Sequence, residues 1–166
     1  MKSIKKMIKE QLEQSIMNRF KLQIHNYLRH ANIEKKPNSI EEVIGLLFNR
    51  GEITEIPSEI FNFTNLEDLM VKNCKLTALP DNIGDLTNLS GLILPGNNIT
   101  SLPDSICNLQ NLNFINLKGS NLNHIPDCIS NLDYNNGGNL MVFSISDAHP
   151  NLKQKLERLL PNADIN

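Results

Sequence analysis

The chain has 166 residues, of which 40% are hydrophobic and 5% aromatic, and it contains no Trp. This length suits about one domain, and the composition favours stacked layers of Leu and Ile over an aromatic-rich pocket. The net charge of -2 excludes a strongly basic nucleic-acid binder, although residues 1–40 carry nine Lys or Arg against three Asp or Glu, giving +6, and the rest carry seven against fifteen, giving -8.

The first 42 residues are predicted to form a helical cap. Apolar residues recur every four positions between charged and amide residues, at Ile4, Ile8, Leu12, Ile16, Phe20, Ile24 and Leu28. No run is continuous enough for a signal peptide, and none approaches the roughly 20 apolar residues that span a bilayer, so we expect a soluble protein. Lys2, Lys5, Lys6 and Lys9 also allow a second interpretation, in which this segment binds a membrane surface.

The end of the cap is ambiguous. Residues 36–39 break the helical pattern, and Ser39 with Glu41 and Glu42 is typical of a new helix start. Residues 43–48 therefore either continue a helix or form a first strand, and the pattern leaves both open.

Self-similarity dominates the rest of the chain. Leu66, Leu89 and Leu112 each follow an Asn and stand 23 residues apart. The same apolar positions follow in each copy, and in the middle copy they are Leu89, Leu92, Leu94, Ile99, Leu102, Pro103, Ile106 and Leu109. A degenerate copy starts near Val43, and another opens at Asn139, after five extra residues within 133–138 that have turn composition and should bulge from the back.

This pattern resembles the leucine-rich-repeat family, in the 23-residue LPxxI subtype seen in Ras-group-related intracellular proteins and in bacterial proteins. The resemblance covers residues 43–149, about four to five repeats. It implies an α/β repeat solenoid, a horseshoe segment whose parallel sheet lines the concave side. It also implies an Asn ladder three residues after each strand, where this chain has Gly51, Cys74, Asn97, Ser120 and Ala148. Since only Asn97 has the usual residue, we expect a thin ladder.

Residues 150–166 are predicted to close the other end. Leu152, Leu156, Leu159 and Leu160 have helical spacing after Pro150, and Pro161 follows. We expect a capping helix from Pro150 to Leu160 and then a tail, because a solenoid needs a cap at each exposed end.

The repeat register predicts which strand residues face away from the core. One column contains Leu47, Met70, Ile93, Asn116 and Ser144, with Asp68, Gly91, Phe114 and Val142 on one side and Lys72, Pro95, Lys118 and Ser146 on the other. Exposed contiguous apolar surface commonly marks an interaction site, although aliphatic residues also simply suit strands. The candidate partner-binding residues are Leu47, Met70, Lys72, Ile93, Pro95, Phe114, Asn116, Lys118 and Val142.

No catalytic motif is evident. His25, His30, His124 and His149 are scattered, and none lies in a catalytic frame. The three cysteines have no CxxC spacing, which suggests neither a disulfide framework nor a metal site and favours a reducing compartment. Cys107 and Cys128 fall on neighbouring repeats and are interpreted as packing residues.

The sequence therefore predicts a cytoplasmic, non-catalytic protein that binds another protein, without a cofactor, nucleic acid or small-molecule substrate. A membrane-surface adaptor and a self-associating scaffold are the alternatives. The richness in Asn, Ile and Lys favours a small bacterial protein from an AT-rich genome, which would act in the host cytosol if delivered into a host cell.

Overall fold

A computed structural model describes residues 45–49, 53–56, 58–145 and 150–166 of the chain. The predicted helical cap and its basic patch lie outside these residues. So do Gly51 and Ala148 of the expected ladder, and Ser146 of the expected surface column.

Within the residues that the structure describes, six parallel strands form one sheet in which the strand order follows the chain order. The strands are β1 (Gly45–Asn49), β2 (Asp68–Lys72), β3 (Gly91–Ile93), β4 (Phe114–Asn116), β5 (Val142–Ser144) and β6 (Asp164–Ile165). Each repeat adds one strand beside the previous one, as a stacked solenoid requires. The open question about residues 43–48 is thereby answered for 45–48, which belong to a strand.

Short 3₁₀ helices return the chain on the side opposite the sheet. We call four of them the back turns: Ser58–Asn62, Asp81–Asp85, Asp104–Asn108 and Asp127–Leu132. Pro80, Pro103 and Pro126 directly precede the last three and hold extended backbone there. The proline ring fixes φ and removes an amide donor, so it suits the point where the extended chain enters a helical turn.

The core fills the space between the sheet and the back turns. In each complete repeat the aliphatic side chains of the strand and of the back turn are buried, and those of the middle repeat are Leu89, Leu92, Leu94, Ile99, Leu102, Ile106 and Leu109. Asp68–Lys72 alternates between partly exposed and buried residues. This alternation gives the sheet one face on the core and one face away from it.

After each of β2, β3 and β4, the chain turns at a residue that has the left-handed backbone conformation. Asn73, Gly96 and Gly119 all have positive φ, at 51°, 69° and 77°, and are spaced by the repeat length. Only residues that tolerate this conformation fit here, which explains glycine in two copies and asparagine in the third.

Asparagine side chains join neighbouring repeats at two places. Inside the solenoid, the Asn97 side chain accepts a hydrogen bond from the Leu76 amide (3.2 Å) and donates to the carbonyls of Val71 (2.7 Å) and Leu94 (2.9 Å). In the same column the Cys74 thiol donates to the Lys72 carbonyl (3.3 Å), and the buried Ser120 hydroxyl has no hydrogen-bond partner among the described residues. Among the described residues of this column, Asn97 alone makes the asparagine contacts of the ladder, so the ladder is thin, as the sequence predicts.

The second ladder lies at the start of the repeats and was not predicted. The Asn before the first Leu of a repeat donates to a backbone carbonyl of the preceding repeat. The pairs are Asn88 with Thr64 (2.8 Å), Asn111 with Thr87 (2.9 Å) and Asn139 with Gln110 (2.9 Å). This contact explains why an Asn precedes Leu89, Leu112 and Leu140, and it continues past the five-residue insertion.

The insertion forms a compact exposed turn. Tyr134–Asn136 is a short 3₁₀ helix that ends at Gly137, whose φ is 87°. Tyr134 is 75% exposed, whereas Asp133 immediately before it is fully buried. The turn composition of this segment therefore matches its structure.

The C-terminal helix, α1, spans Pro150–Leu159, one residue short of the predicted end. Leu152 and Leu156 are buried against the solenoid. The Lys155 ammonium group contacts the Asp127 carboxylate (2.7 Å) and donates to the Ile125 carbonyl (2.9 Å). Its hydrogen bond and its positive charge lower the pKa of the Asp127 carboxyl.

The segment after this helix, which the sequence predicts as a tail, contains a further strand. Residues 164–165 form β6 in parallel with β5, and the Asp164 amide donates to the Met141 carbonyl (2.8 Å). Two residues are too few to show a strand periodicity, so the sequence pattern carried no signal for this strand.

The expectation that the cysteines form no disulfide was wrong. Cys107 and Cys128 form a disulfide between neighbouring back turns, with their Cα atoms 5.9 Å apart. Their spacing of 21 residues belongs to no common cysteine motif, because the pair is brought together by the stacking of repeats and not by a local turn.

Candidate functional site

The sheet face that points away from the core carries the residues that the sequence placed on the concave side. We call it the open face. Strand pairing aligns Leu47 with Met70, Met70 with Ile93, Ile93 with Asn116, and Asn116 with Ser144. The predicted central column is therefore a true column, with neighbouring residues about 4.8 Å apart across the sheet.

Three successive members of this column are apolar. Leu47, Met70 and Ile93 are each half-buried, whereas the residues that flank them along the strands are buried in the core. Side-chain alternation in a strand explains this difference. The three side chains form one apolar stripe on the open face, across β1, β2 and β3.

A second apolar group lies beside the C-terminal end of the stripe. Phe114 is paired with Val142, and both are half-buried. Met141, next to Val142, is 68% exposed. Met141 is not among the predicted binding residues, because it lies just before β5, outside the predicted columns, where the repeat pattern gives no sign of exposure.

The predicted lysine column also keeps its register beyond the ends of the strands. Asn49 pairs with Lys72, the Asn73 amide donates to the Pro95 carbonyl (2.9 Å), and the Gly96 amide donates to the Lys118 carbonyl (2.8 Å). Lys72 and Pro95 are half-buried, and Lys118 is exposed. Within the described part of the chain, no carboxylate is paired with either ammonium group.

The opposite rim of the open face carries one carboxylate, that of Asp68. The Asp68 carboxylate lies over Gly91, in the space that a Cβ atom on Gly91 would occupy. This contact buries Gly91 and explains why the column between Asp68 and Phe114 has no side chain there. The open face thus has an apolar centre, a carboxylate on one side and two lysines on the other.

Not every predicted column position is available at the surface. Ser144 is 4% exposed, and its hydroxyl donates to the Asn166 side chain (2.7 Å). Asn116 is half-buried and accepts a hydrogen bond from the Lys118 amide (3.1 Å) through its own side chain. The accessible polar end of the column is therefore Asn116, because the C-terminal segment that the sequence did not predict as a strand covers Ser144.

Other kinds of site receive no support from the described residues. No group of three or more His, Cys, Asp or Glu side chains in them is arranged to hold a metal ion. His124 is exposed. None of the described helices has the length and apolar character that crossing a bilayer requires.

Comparison with solved structures agrees with this architecture. No protein-family model and no curated protein match the sequence. Among solved structures, the chain is similar to a leucine-rich-repeat protein of Leptospira interrogans, with a TM-score of 0.62 and 25% identity over 76% of this chain. The chain spans 37% of the length of that Leptospira protein.

Two further similarities have lower TM-scores. The leucine-rich-repeat domain of the type III effector XopL gives a TM-score of 0.48 at 17% identity, over 99% of this chain and 70% of that one. The leucine-rich-repeat ectodomain of the receptor kinase GASSHO1/SCHENGEN3 from Arabidopsis thaliana gives 0.47 at 24% identity, over 60% of this chain and 11% of that one. The repeat spacing, the parallel sheet and the Leptospira similarity together show that this chain has a leucine-rich-repeat fold.

Proposed function

We propose that this chain binds another protein through its open face and that it acts without catalysing a reaction. The observation that carries the proposal is the register of Leu47, Met70 and Ile93, which makes three apolar side chains contiguous on a face that the core does not use. Solvated faces of sheets normally carry polar residues at such positions. The repeats are assigned, within this proposal, to the 23-residue LPxxI subtype.

The chemistry of the open face restricts the partner. The apolar stripe, with Phe114 and Val142 beside it, fits a segment that presents several aliphatic or aromatic side chains. Lys72 and Lys118 are two rungs apart on one rim, roughly 10 Å at the spacing of parallel strands. We therefore expect carboxylates on the partner beside its apolar residues, on the side that meets the lysines.

The charges of Lys72 and Lys118 should affect the rate of association and the choice of partner more than the affinity that the apolar contact provides. Rim charges mainly steer association and exclude like-charged partners. Replacing Lys72 and Lys118 by Glu should slow association by about tenfold or more at low salt, with a smaller effect at high salt.

The test compares three forms of the protein in affinity capture. These are the wild type, the open-face variant Met70→Glu with Ile93→Glu, and the back-face variant Asn108→Glu with Asn131→Glu. Asn108 and Asn131 are exposed, so they provide a control with the same added charge. A protein that the wild type and the back-face variant retain, and that the open-face variant loses, supports the proposal.

The purified candidate partner is then titrated with each of the three forms in calorimetry, and their affinities should follow the same order as in the capture experiment. Loss with the back-face variant alone would overturn the proposal and move the site to the back turns. Liposome flotation and light scattering cover the other two hypotheses. Binding to anionic vesicles alone would favour the membrane adaptor, and concentration-dependent self-association alone would favour the scaffold.

A further inference from the structure

The disulfide lies at one junction of the solenoid and not in the open face. Cys107 belongs to the back turn Asp104–Asn108, and Cys128 belongs to the next one, Asp127–Leu132. The Cα separation of 5.9 Å agrees with the most common distance in protein disulfides. The bond links two successive repeats on the side opposite the proposed binding surface.

The stacking of the repeats itself brings the positions of Cys107 and Cys128 close together. One repeat earlier, the equivalent residues are Gly84 and Ser105. A Cβ atom built on Gly84 would lie 3.0 Å from the Ser105 Cβ. The same pair of positions is therefore close at the neighbouring junction, where no bond exists. At the later junction the chain has a thiol at both positions, so the fold itself holds the two sulfur atoms ready to be joined.

The three cysteines are chemically distinct. Cys128 is half-buried, so an external oxidant has access to one sulfur of the pair. Cys74 is buried, and its thiol donates a hydrogen bond to the Lys72 carbonyl within the turn. The hydrogen bond of Cys74 needs the reduced thiol, whereas the disulfide between Cys107 and Cys128 needs an oxidant to form.

We propose that the Cys107–Cys128 disulfide forms and persists in an oxidising compartment, and that the protein functions there. Disulfides persist in such compartments and are rare where thiol reductants dominate. In the forming reaction the two thiols lose two protons and two electrons as the S–S bond forms, and an exchanging disulfide oxidant takes them up and becomes two thiols. The expectation of a reducing compartment rested on the lack of a cysteine pair, and the pairing removes that reason.

The bond acts on one junction because each repeat contacts only its neighbours. It joins the repeat that contains β3 to the repeat that contains β4, and α1 packs on the far side of the latter. The bond limits the separation of the two repeats when the chain unfolds. We expect its reduction to lower Tm by about 6–12 °C, from the loop-closure effect for this sequence separation and the heat of unfolding for this size.

The first test uses the full chain, equilibrated with glutathione disulfide and then treated with or without a phosphine reductant. The control is Cys107→Ser with Cys128→Ser, because serine occupies the equivalent positions of neighbouring repeats, at Ser130 and Ser105. The reductant should lower the Tm of the wild type by the stated amount and leave the Tm of the control unchanged. An equal response of both proteins, or three free thiols after oxidation, would overturn the proposal.

The second test addresses the compartment. Source cells are quenched in acid, free thiols are blocked with a maleimide under denaturing conditions, and the protein is analysed by mass spectrometry. One blocked cysteine per chain, at position 74, supports the proposal. Three blocked cysteines would overturn it and place the protein in a reducing compartment, such as a cytosol.

Discussion

The carboxylate of Asp133 accepts two hydrogen bonds from Asn162, which is 29 residues further along the chain. The Asn162 side chain donates to one oxygen (2.7 Å) and its backbone amide donates to the other (3.0 Å). The Asn135 amide donates a third hydrogen bond (3.0 Å). One buried side chain thus joins the inserted turn to the segment that leads from α1 into β6.

Replacing Asp133 by Asn should destabilise the protein by about 1–3 kcal/mol, because an amide group has one acceptor oxygen and leaves at least one of these donors without a partner. The measurement is urea denaturation at neutral pH. Asp85→Asn is the control, since Asp85 is an exposed residue at the end of a back turn. Equal stability of the two variants would show that Asp133 does not support the C-terminal segment.

The same site predicts part of the acid sensitivity. Burial raises the pKa of Asp133, but the hydrogen bonds from Asn162 and Asn135 outweigh it, so the pKa lies below the ordinary value of 3.8. A lowered pKa stabilises the folded state above that ordinary value, and the contribution is lost as the pH falls through the pKa of the folded protein. Urea denaturation from neutral pH down to about pH 3 should therefore show a smaller loss of stability for Asp133→Asn than for the wild type. A steeper loss in the variant would contradict this assignment.

The asparagine column predicts two opposite effects. Asn97→Ala should cost about 2–4 kcal/mol, since it leaves a buried amide and two buried carbonyls without their partner. Ser120→Asn, at the equivalent position of the next repeat, should raise stability by about 1 kcal/mol by supplying the missing ladder contact to an otherwise unsatisfied buried site. Thermal melts of both variants provide the measurement. A lower Tm for Ser120→Asn would mean that the next rung has no room for the larger side chain.

Core and surface positions of the repeat should differ clearly. Leu94 is fully buried, so Leu94→Ala should cost about 2–5 kcal/mol. Lys118 is exposed, so Lys118→Ala should change stability by less than about 0.5 kcal/mol. Chemical denaturation of both variants checks the difference, and similar shifts would contradict the strand register.

The repeated part of this fold could be predicted from the sequence because each repeat has the same pattern of apolar residues at the same positions. Leu92 in β3 and Leu94 directly after it are buried on either side of Ile93, and this alternation alone places Ile93 on the open face. Each of the nine candidate residues lies in or next to the predicted column.

Features that occur once were harder to predict. The bond between Cys107 and Cys128 depends on the diagonal offset of two turns, and a repeat alignment compares them with Gly84 and Ser105 instead of with each other. The strand at Asp164–Ile165 depends on pairing with Val142–Ser144, which is a tertiary contact without a local pattern. The burial of Ser144 follows from that same contact.

The use of the open face is tested most directly by photo-crosslinking of the complex with the captured partner. A photoreactive phenylalanine analogue is placed at Ile93 in the stripe, at Lys118 on its rim, or at Asn108 in a back turn as the control. The proposal predicts crosslinks from positions 93 and 118 to one segment of the partner, and none from position 108. Crosslinks from position 108 alone would contradict it and assign binding to the back turns.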